Sequence, residues 1–265
     1  MTTTTSTFAS RAISFGSLLL AAGIAIALPT AAFAQDSERA QPESGFYVTL
    51  NAGVTSPSDE AFEGIQAPAA GSPGVAGAPA TIAVQYDEDV TFAGAIGYRL
   101  PTRVFGIFQP SVELEYSYGG ADIDGGTANG VSQTFVGDVD VNTFTINYRS
   151  ELKLSDDQKV TPFFGGGIGI ADVDADIGFF PNNGVANAPT FAVSGSDTGL
   201  VLHSNIGLSF RLTDNIDLET RVRYQRISGL EFEQTYVANG ANSFNAAVDG
   251  DFETVSGLAG IRFRF

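Results

Sequence analysis

His203 and Ser204 are the residues of this chain whose types come closest to a general base and its nucleophile. Such a pair works only when the imidazole lies within hydrogen-bonding reach of the hydroxyl, so that the proton can pass between them. Here they are adjacent in a segment that alternates like a β-strand, and adjacent residues of a strand point to opposite faces. The chain has no second histidine. We therefore expect no enzymatic activity, and we expect His203 to be a buried residue with polar neighbours.

Aspartates recur in a D-x-D pattern, which could supply the oxygen ligands that Ca²⁺ or Mg²⁺ prefers. The run Asp172, Asp174 and Asp176 is the candidate metal site, although it lacks the glycine and the final acid of an EF-hand loop. The alternative is that these carboxylates keep the surface soluble and block edge-to-edge pairing of strands. We expect no other cofactor, because no phosphate-binding, nucleotide-binding or transition-metal motif occurs. The pattern is found at Asp87/Asp89, Asp122/Asp124, Asp138/Asp140, Asp172/Asp174/Asp176 and Asp249/Asp251.

Eight segments alternate apolar and polar residues with the period of two that is typical of strands. Each is about the length that a tilted strand needs to cross a bilayer. The even-numbered residues form the apolar face in the first seven segments, and the odd-numbered residues form it in the eighth. The predicted spans are 46–54, 90–100, 108–118, 142–152, 162–170, 200–212, 216–224 and 255–265.

Charged residues in these spans occupy only the face opposite the apolar one. A charge facing lipid at mid-depth costs about 2–4 kcal/mol, which explains the exclusion. The pattern predicts an all-β fold, an eight-stranded antiparallel up-and-down transmembrane barrel, whose interior is just wide enough for side chains to fill. We expect a lumen ion-pair network made of Arg99, Glu113, Glu115, Arg149, Glu151, Arg211, Asp217, Glu219, Arg221, Arg223, Arg262 and Arg264.

Within this network, the carboxylates of the third span are expected to meet arginines of the seventh span across the lumen. The residues concerned are Glu113, Glu115, Arg221 and Arg223. Inward-facing glycines of the fifth span are expected to leave room for the long arginine side chains. These are Gly165, Gly167 and Gly169. The alternative to such a plugged interior is a narrow polar pore.

The connections between the spans alternate in length, with 35, 23, 29 and 30 residues in one set and 7, 9 and 3 in the other. Long links outside and short turns on the periplasmic side are the outer-membrane pattern. The long links contain nineteen acids and one base, so the exposed surface is acidic and nucleic acid is excluded as a partner. Residues 67–79 predict a low-complexity, mobile segment. Turn residues at 179–184 and 239–242 predict hairpins that extend beyond the membrane.

The N-terminal region has the features of an export signal. Arg11 precedes an apolar run that ends in the small-residue sequence Ala32-Phe33-Ala34, which is typical of a cleaved signal peptide. A membrane anchor is the alternative, for which the run is short. The chain has no cysteine and hence no disulfide. We predict a signal peptide at 1–34, a short periplasmic segment at 35–44 and the barrel at 45–265, and we keep a soluble exported β-sandwich as the alternative fold.

Four stretches resemble the small eight-stranded outer-membrane barrels of the OmpA-like and opacity-type surface-antigen families of Gram-negative bacteria. They are Ser44-Gly45-Phe46-Tyr47-Val48, residues 112–118 (VELEYSY), residues 161–169 (TPFFGGGIG) and residues 257–265 (GLAGIRFRF). The resemblance implies a barrel alone, without the peptidoglycan-binding domain of full-length OmpA.

The same resemblance implies a location and partners. We expect export to the outer membrane, contact with outer-membrane lipids and lipopolysaccharide, and insertion by the barrel-assembly machinery, with Phe263 and Phe265 as the C-terminal assembly signal. The expected role is structural or a surface interaction. A small-solute porin and, below it, a lipid-modifying enzyme are the alternatives.

Overall fold

The computed structural model describes residues 44–155 and 157–265, in which ten strands form one antiparallel sheet. The predicted signal peptide and most of the segment 35–44 lie outside these residues. Within the described part of the chain, no helix is long and apolar enough to cross a membrane. The strands are β1 (Gly45–Pro57), β2 (Glu60–Gln66), β3 (Pro79–Tyr86), β4 (Asp89–Arg99), β5 (Phe108–Ala128), β6 (Val131–Leu152), β7 (Val160–Pro181), β8 (Phe191–Arg211), β9 (Ile216–Tyr236) and β10 (Ser243–Arg264), with a 3₁₀ turn at Ala238–Gly240.

Eight of these strands close into an up-and-down barrel. β1 pairs with β4 on one side and with β10 on the other, and β4 to β10 follow one another as neighbours in chain order. The predicted fold class is therefore confirmed. The predicted faces are confirmed as well: Ile206 is 66% exposed on the outside, whereas Glu219 is 1% exposed on the inside.

β2 and β3 lie in the first long connection, where we predicted only a loop. β2 pairs with β10 and β3 pairs with β5 at a level that β1 and β4 do not reach, so the barrel continues there with eight strands. The residues between β2 and β3 are also attached to the sheet: the amides of Ala67 and Ala69 donate to the carbonyls of Asn245 and Phe244. Residues 67–78, most of the predicted low-complexity segment, do lie outside the strands. The prediction of a loop was wrong for β2 and β3, because the Ala-, Pro- and Gly-rich segment between them obscured two short alternating segments.

The other long connections are also mostly strand, since β5 to β10 each have 21 or 22 residues. The link between β5 and β6 is reduced to the turn Asn129-Gly130, which has positive φ at both residues. The links after β7 and β9 are short hairpin connections, as 179–184 and 239–242 predicted.

The outside of the barrel changes from apolar to polar between two adjacent rows of residues. The last apolar row is Tyr116, Phe144, Ile170 and Leu200, and the next row is Tyr118, Asn142, Asp172 and Thr198. We call the barrel on the side of the short turns, up to and including the first of these rows, the lower section. We call the remainder, on the side of the long hairpins, the upper section.

At the same level, the inside of the barrel changes from polar to apolar. Below the inward row that contains Ser117 and Thr143, the buried residues are mostly polar or charged; above it, they are mostly apolar. The strands keep their alternation across this level, so the same face that carries charge in the lower section carries aliphatic and aromatic side chains in the upper section. The upper interior contains Phe62, Ile82, Val84, Phe135, Val139, Val141, Val173, Ile177, Phe179, Val193, Ile227, Leu230, Phe232, Val248 and Phe252.

Candidate functional site

The candidate site is the interior of the barrel, because it contains the charged residues that the sequence pattern selected. Ten of the twelve predicted network residues are buried there, and Arg211 and Arg264 are partly buried near the short turns. They come from six strands that pair around the barrel, and strand alternation turns each side chain inward.

Glu151 on β6 lies at the centre of the largest charge cluster. Its carboxylate is 3.2 Å from Nη2 of Arg99, 3.4 Å from Nε of Arg149 and 3.7 Å from Nζ of Lys153, and it also pairs with Arg262. Sequence reasoning missed Lys153, because it lies one residue beyond the predicted span 142–152. The signal was available, since its odd number continues the inward alternation of that strand.

Arg149 extends this cluster toward two further carboxylates. Its Nη2 is 2.7 Å from Glu219, and its Nη1 is 3.9 Å from Glu113. The guanidinium also lies over the ring of Phe163, 3.5 Å from the ring centroid, a cation–π contact that gains strength when it is desolvated. The hydroxyl of Tyr47 donates to Glu113 at 2.8 Å.

The cluster is completed by arginines of β10. Arg262 pairs with Glu219, lies 4.0 Å from Asp217 and stacks over the ring of Tyr47 at 4.8 Å. Arg264 lies 3.1 Å from Asp217. The charges of five different strands are therefore connected through a continuous set of buried contacts.

A second, smaller cluster lies closer to the upper section. Glu115 accepts a hydrogen bond from Nη2 of Arg221 at 2.9 Å and also pairs with Arg223. The structure thus brings together one acid and two arginines of the four-residue set proposed from the sequence. Glu113 belongs to the other cluster, because two residues along a strand separate the carboxylates in depth.

The inward glycines of β7 make room for other side chains than those we expected. A Cβ at Gly167 would lie 1.9 Å from Oδ1 of Asn147 and 2.5 Å from Nε2 of His203. One at Gly165 would lie 2.4 Å from the backbone carbonyl of Tyr148 on β6 and 3.4 Å from Oδ1 of Asn205. The expectation that arginines fill this space was wrong, because Arg149 extends to Glu219 of β9, and Arg221 and Arg223 extend to Glu115 of β5. Gly169, the third of these glycines, closely approaches the β6 backbone.

His203 is buried in the lumen, and its Nε2 lies 2.9 Å from Oδ1 of Asn147. Ser204 points to the opposite, exposed face of β8. The two side chains therefore do not form the nucleophile–base pair that their types suggested, and the geometry offers no proton transfer between them.

Aromatic rings over glycines were a further feature that sequence reasoning missed. A Cβ at Gly97 would lie 2.3 Å from the ring of Tyr47, and one at Gly207 would lie 2.4 Å from the ring of Phe163. Each ring thus occupies the place of a missing side chain on the neighbouring strand. Both rings are the ones on which arginines stack, so these glycines indirectly position Arg262 and Arg149.

A layer of hydroxyl groups separates the charges from the apolar interior. Thr55 and Ser256 are hydrogen-bonded at 2.8 Å, and Ser117 and Thr143 at 2.6 Å. These side chains line a cavity of about 30 Å³, which is enough for about one or two water molecules.

Above this layer, aromatic residues close the upper section. The rings of Phe135 and Phe179 stack at 5.1 Å, and Phe179 and Phe191 stack at 5.6 Å. Phe62 of β2 contacts Phe232 edge-on at 5.8 Å. The hairpin that we had predicted as a loop therefore supplies part of the apolar interior.

The outer face of the upper section carries the aspartates of the D-x-D pattern. Asp138 lies opposite Asp122 on one neighbouring strand and opposite Asp176 on the other, and Asp140 lies opposite Asp174. Desolvation, together with the carboxylates of Asp140 and Asp176, raises the pKa of Asp138 above its usual value.

The candidate metal ligands belong to this face. Asp172, Asp174 and Asp176 point outward at successive positions of β7, and Asp172 accepts a hydrogen bond from Ser196. In residues 44–155 and 157–265, no group of three or more acidic or histidine side chains is arranged to hold one metal ion.

Comparison with known proteins agrees with this architecture. The family model of the outer membrane protein beta-barrel domain matches residues 18–263. Among solved structures, Neisserial surface protein A is 15% identical over 84% of this chain and 100% of its own, with a TM-score of 0.41. OprG from Pseudomonas aeruginosa is 13% identical over 83% and 96%, with a TM-score of 0.47. The outer membrane protease OmpT from Escherichia coli is 8% identical over 83% and 97%, with a TM-score of 0.50. At these sequence identities, the similarity to the solved structures concerns the fold alone. A search of curated proteins gave no match.

Proposed function

The chain belongs to the outer membrane protein β-barrel domain family, and we propose that it is a sealed, non-conducting barrel that displays an acidic surface, with a structural or surface-interaction role. Members of this class cross the outer membrane of Gram-negative bacteria with short turns on the periplasmic side and longer hairpins outside. The lower section then lies in the bilayer, and the upper section projects from the cell.

The observation that carries this proposal is the filling of the interior along its whole length. Paired charges occupy the lower section, hydroxyl groups occupy the boundary, and an apolar cluster occupies the upper section. A permeating ion would have to displace buried ion pairs, whose disruption costs about 3–5 kcal/mol. It would then have to enter a mostly apolar interior that replaces few of its contacts with water. Two seals of different chemistry therefore act in series.

The test is planar-bilayer recording of the refolded, full barrel. We expect no steady channels from the wild type. Incorporation is checked independently by the mobility shift between unheated and boiled samples on gels. Reproducible wild-type conductance with ordinary small ions would refute the sealed barrel and favour the small-solute porin.

The surface-interaction part of the proposal is supported by where the charge lies. The acids at the outer face of the upper section outnumber the bases, and the ion pairs of Arg226 with Asp251 and Glu253 are among the few cationic contacts there. Such a field favours cationic partners and repels nucleic acid. Crosslinking at the surface of intact cells, followed by purification of the barrel, identifies what this face contacts.

A catalytic role has no support from the geometry of the described residues. His203 lies in the lumen with Asn147, and Ser204 lies on the lipid side. Analysis of lipid A from a deletion strain tests the lipid-modifying alternative, for which we expect an unchanged composition.

A further inference from the structure

Three turns of the barrel share a backbone shape that most residues disfavour. In each, two consecutive residues have positive φ, as in the type I′ turns that connect strands in hairpins. The pairs are Asn129-Gly130 with φ of 50° and 75°, Asn239-Gly240 with 57° and 75°, and Phe105-Gly106 with 50° and 74°. Asparagine and glycine are the residues that tolerate this conformation, whereas phenylalanine is bulky and strained in it.

Phe105 gains nothing from its own chain that would offset this strain. Its side chain is 89% exposed, so the ring does not pack against the barrel. The turn is closed by backbone bonds between Val104 and Phe108 that any residue at position 105 would permit. A phenylalanine that faces water at this place therefore has two unfavourable features, namely a strained backbone conformation and an apolar ring in contact with water.

Part of the surface beside Phe105 is apolar and continues the outward apolar face of the barrel, although Thr102 and Arg103 of the same link are polar. The amide of Lys153 donates to the carbonyl of Ile107 at 2.7 Å, which joins this turn to the next one, where Leu154 is 70% exposed. Directly above, the outward rings of Phe108 and Phe164 are in contact at 5.9 Å. The turn between β8 and β9, Thr213-Asp214-Asn215, is polar by contrast.

We propose that Phe105 inserts into the bilayer at its periplasmic surface, among the headgroups and the first acyl carbons, and anchors this side of the barrel rim. The occupant of the Phe105 surface is lipid, because the exposed apolar residues of the turn are continuous with the apolar belt of the lower section. Apolar and aromatic side chains at this depth exchange water for the acyl boundary, which favours burial of the ring. The gain from burial of the ring then exceeds the strain of the turn.

The first test uses the absence of tryptophan from the chain. Phe105→Trp introduces a single tryptophan, which can be excited apart from the tyrosines, and Asn129→Trp places the same fluorophore in a turn of the same shape at the opposite end of the barrel. In vesicles of phosphatidylcholine, we expect emission of Phe105→Trp to be shifted to shorter wavelength and quenched by lipids brominated near the carboxyl end of the acyl chain. Emission of Asn129→Trp should remain water-like and be quenched by iodide. Equal emission and equal iodide quenching of the two variants would overturn the proposal. That result would be expected if the ring instead binds a periplasmic protein, because it would then lie in water in these vesicles.

The second test depends on the sign of a stability change. Phe105→Asn gives the turn the residue found in the other two, so it relieves strain and folding is not at risk. If the ring lies in lipid, the variant should unfold from the vesicles at lower denaturant concentration than the wild type. An unchanged or higher midpoint would show that burial of the ring in lipid does not outweigh the strain of the turn, and would refute the anchor.

Discussion

In the lower section Glu151 lies inside the barrel among four cations and Ile206 lies outside against lipid, whereas in the upper section Ile177 lies inside and Asp174 outside. The strands are the same, and their alternation continues across the boundary between the sections. β9 changes phase only above that boundary, at Gly229, so that Ile227 and Leu230 both face inward. On the proposed placement only the medium outside differs, since lipid excludes charge and water accepts it. The comparison shows that one barrel can have polar side chains inside at one level and outside at another, because the strand alternation continues across the boundary between the two levels.

The two sections are also stabilised by different forces. In the upper section, removal of apolar side chains from water drives packing, as in a soluble protein. In the lower section, the outward apolar residues stay in an apolar medium, and the interior depends on complete pairing of charges and of backbone groups. The sections should therefore respond differently to the same kind of substitution.

Removal of one buried charge in the lower section should have the largest effect. Glu151→Gln keeps the size of the side chain but leaves four cations without their shared counter-ion, and we expect the free energy of unfolding to fall by about 3–5 kcal/mol. The matched change in the upper section, Asp251→Asn, removes the partner of Arg226 in a pair that is 30–50% exposed, and should cost less than about 1 kcal/mol. Denaturant unfolding in lipid vesicles measures both. Similar losses in the two variants would show that the lower charges are not a closed network.

The fold of the lower section was predictable because its alternation is strict and its charges obey it. The upper section was missed although Val139, Val141, Val173 and Ile177 alternate just as regularly with the aspartates. In the upper section the inward residues are apolar and the outward residues are polar. A search for outward apolar residues therefore interprets the outward aspartates as loop residues. The D-x-D pattern is thus the outer face of strands that continue beyond the bilayer.

The alternation of the strands predicted which charged side chains point inward, but it missed Lys153 and did not predict the contacts. The odd or even position of a residue in its strand decides whether the side chain points inward. Which ion pair it forms depends on its depth in the barrel, on the length of each arginine side chain and on which neighbours are glycines. Glu115 contacts Arg221 and Arg223, whereas Glu113 contacts Tyr47 and Arg149. These choices follow from the strand register across the barrel, which alternation within one strand does not specify.

Placement of an arginine on the outer face should have a smaller but level-dependent effect. Ile206→Arg puts a charge into the lipid-facing surface, where we expect a loss of about 2–4 kcal/mol if it lies near mid-depth. Ser196→Arg makes the same change on the same face of β8 in the upper section, beside Asp172, and should stay within about 0.5 kcal/mol of the wild type. The mobility shift on gels and denaturant unfolding check both. Equal effects would contradict the level at which we place the boundary between the sections.

The smallest expected effect is a pH dependence confined to the upper section. The pKa of Asp138 is raised by desolvation and by the carboxylates of Asp140 and Asp176, so the folded barrel binds this proton more tightly than the unfolded chain does. Stability should therefore increase as the pH falls from neutral toward the usual aspartate pKa of 3.8, and the gain should be lost as the pH rises through the raised value. Asp138 is exposed, so salt should weaken the effect. Protease cleavage within the upper section, followed from pH 7 downward, should slow in the wild type and change less in Asp138→Asn. Identical pH profiles for the two proteins would show that repulsion among these carboxylates does not act on the upper section.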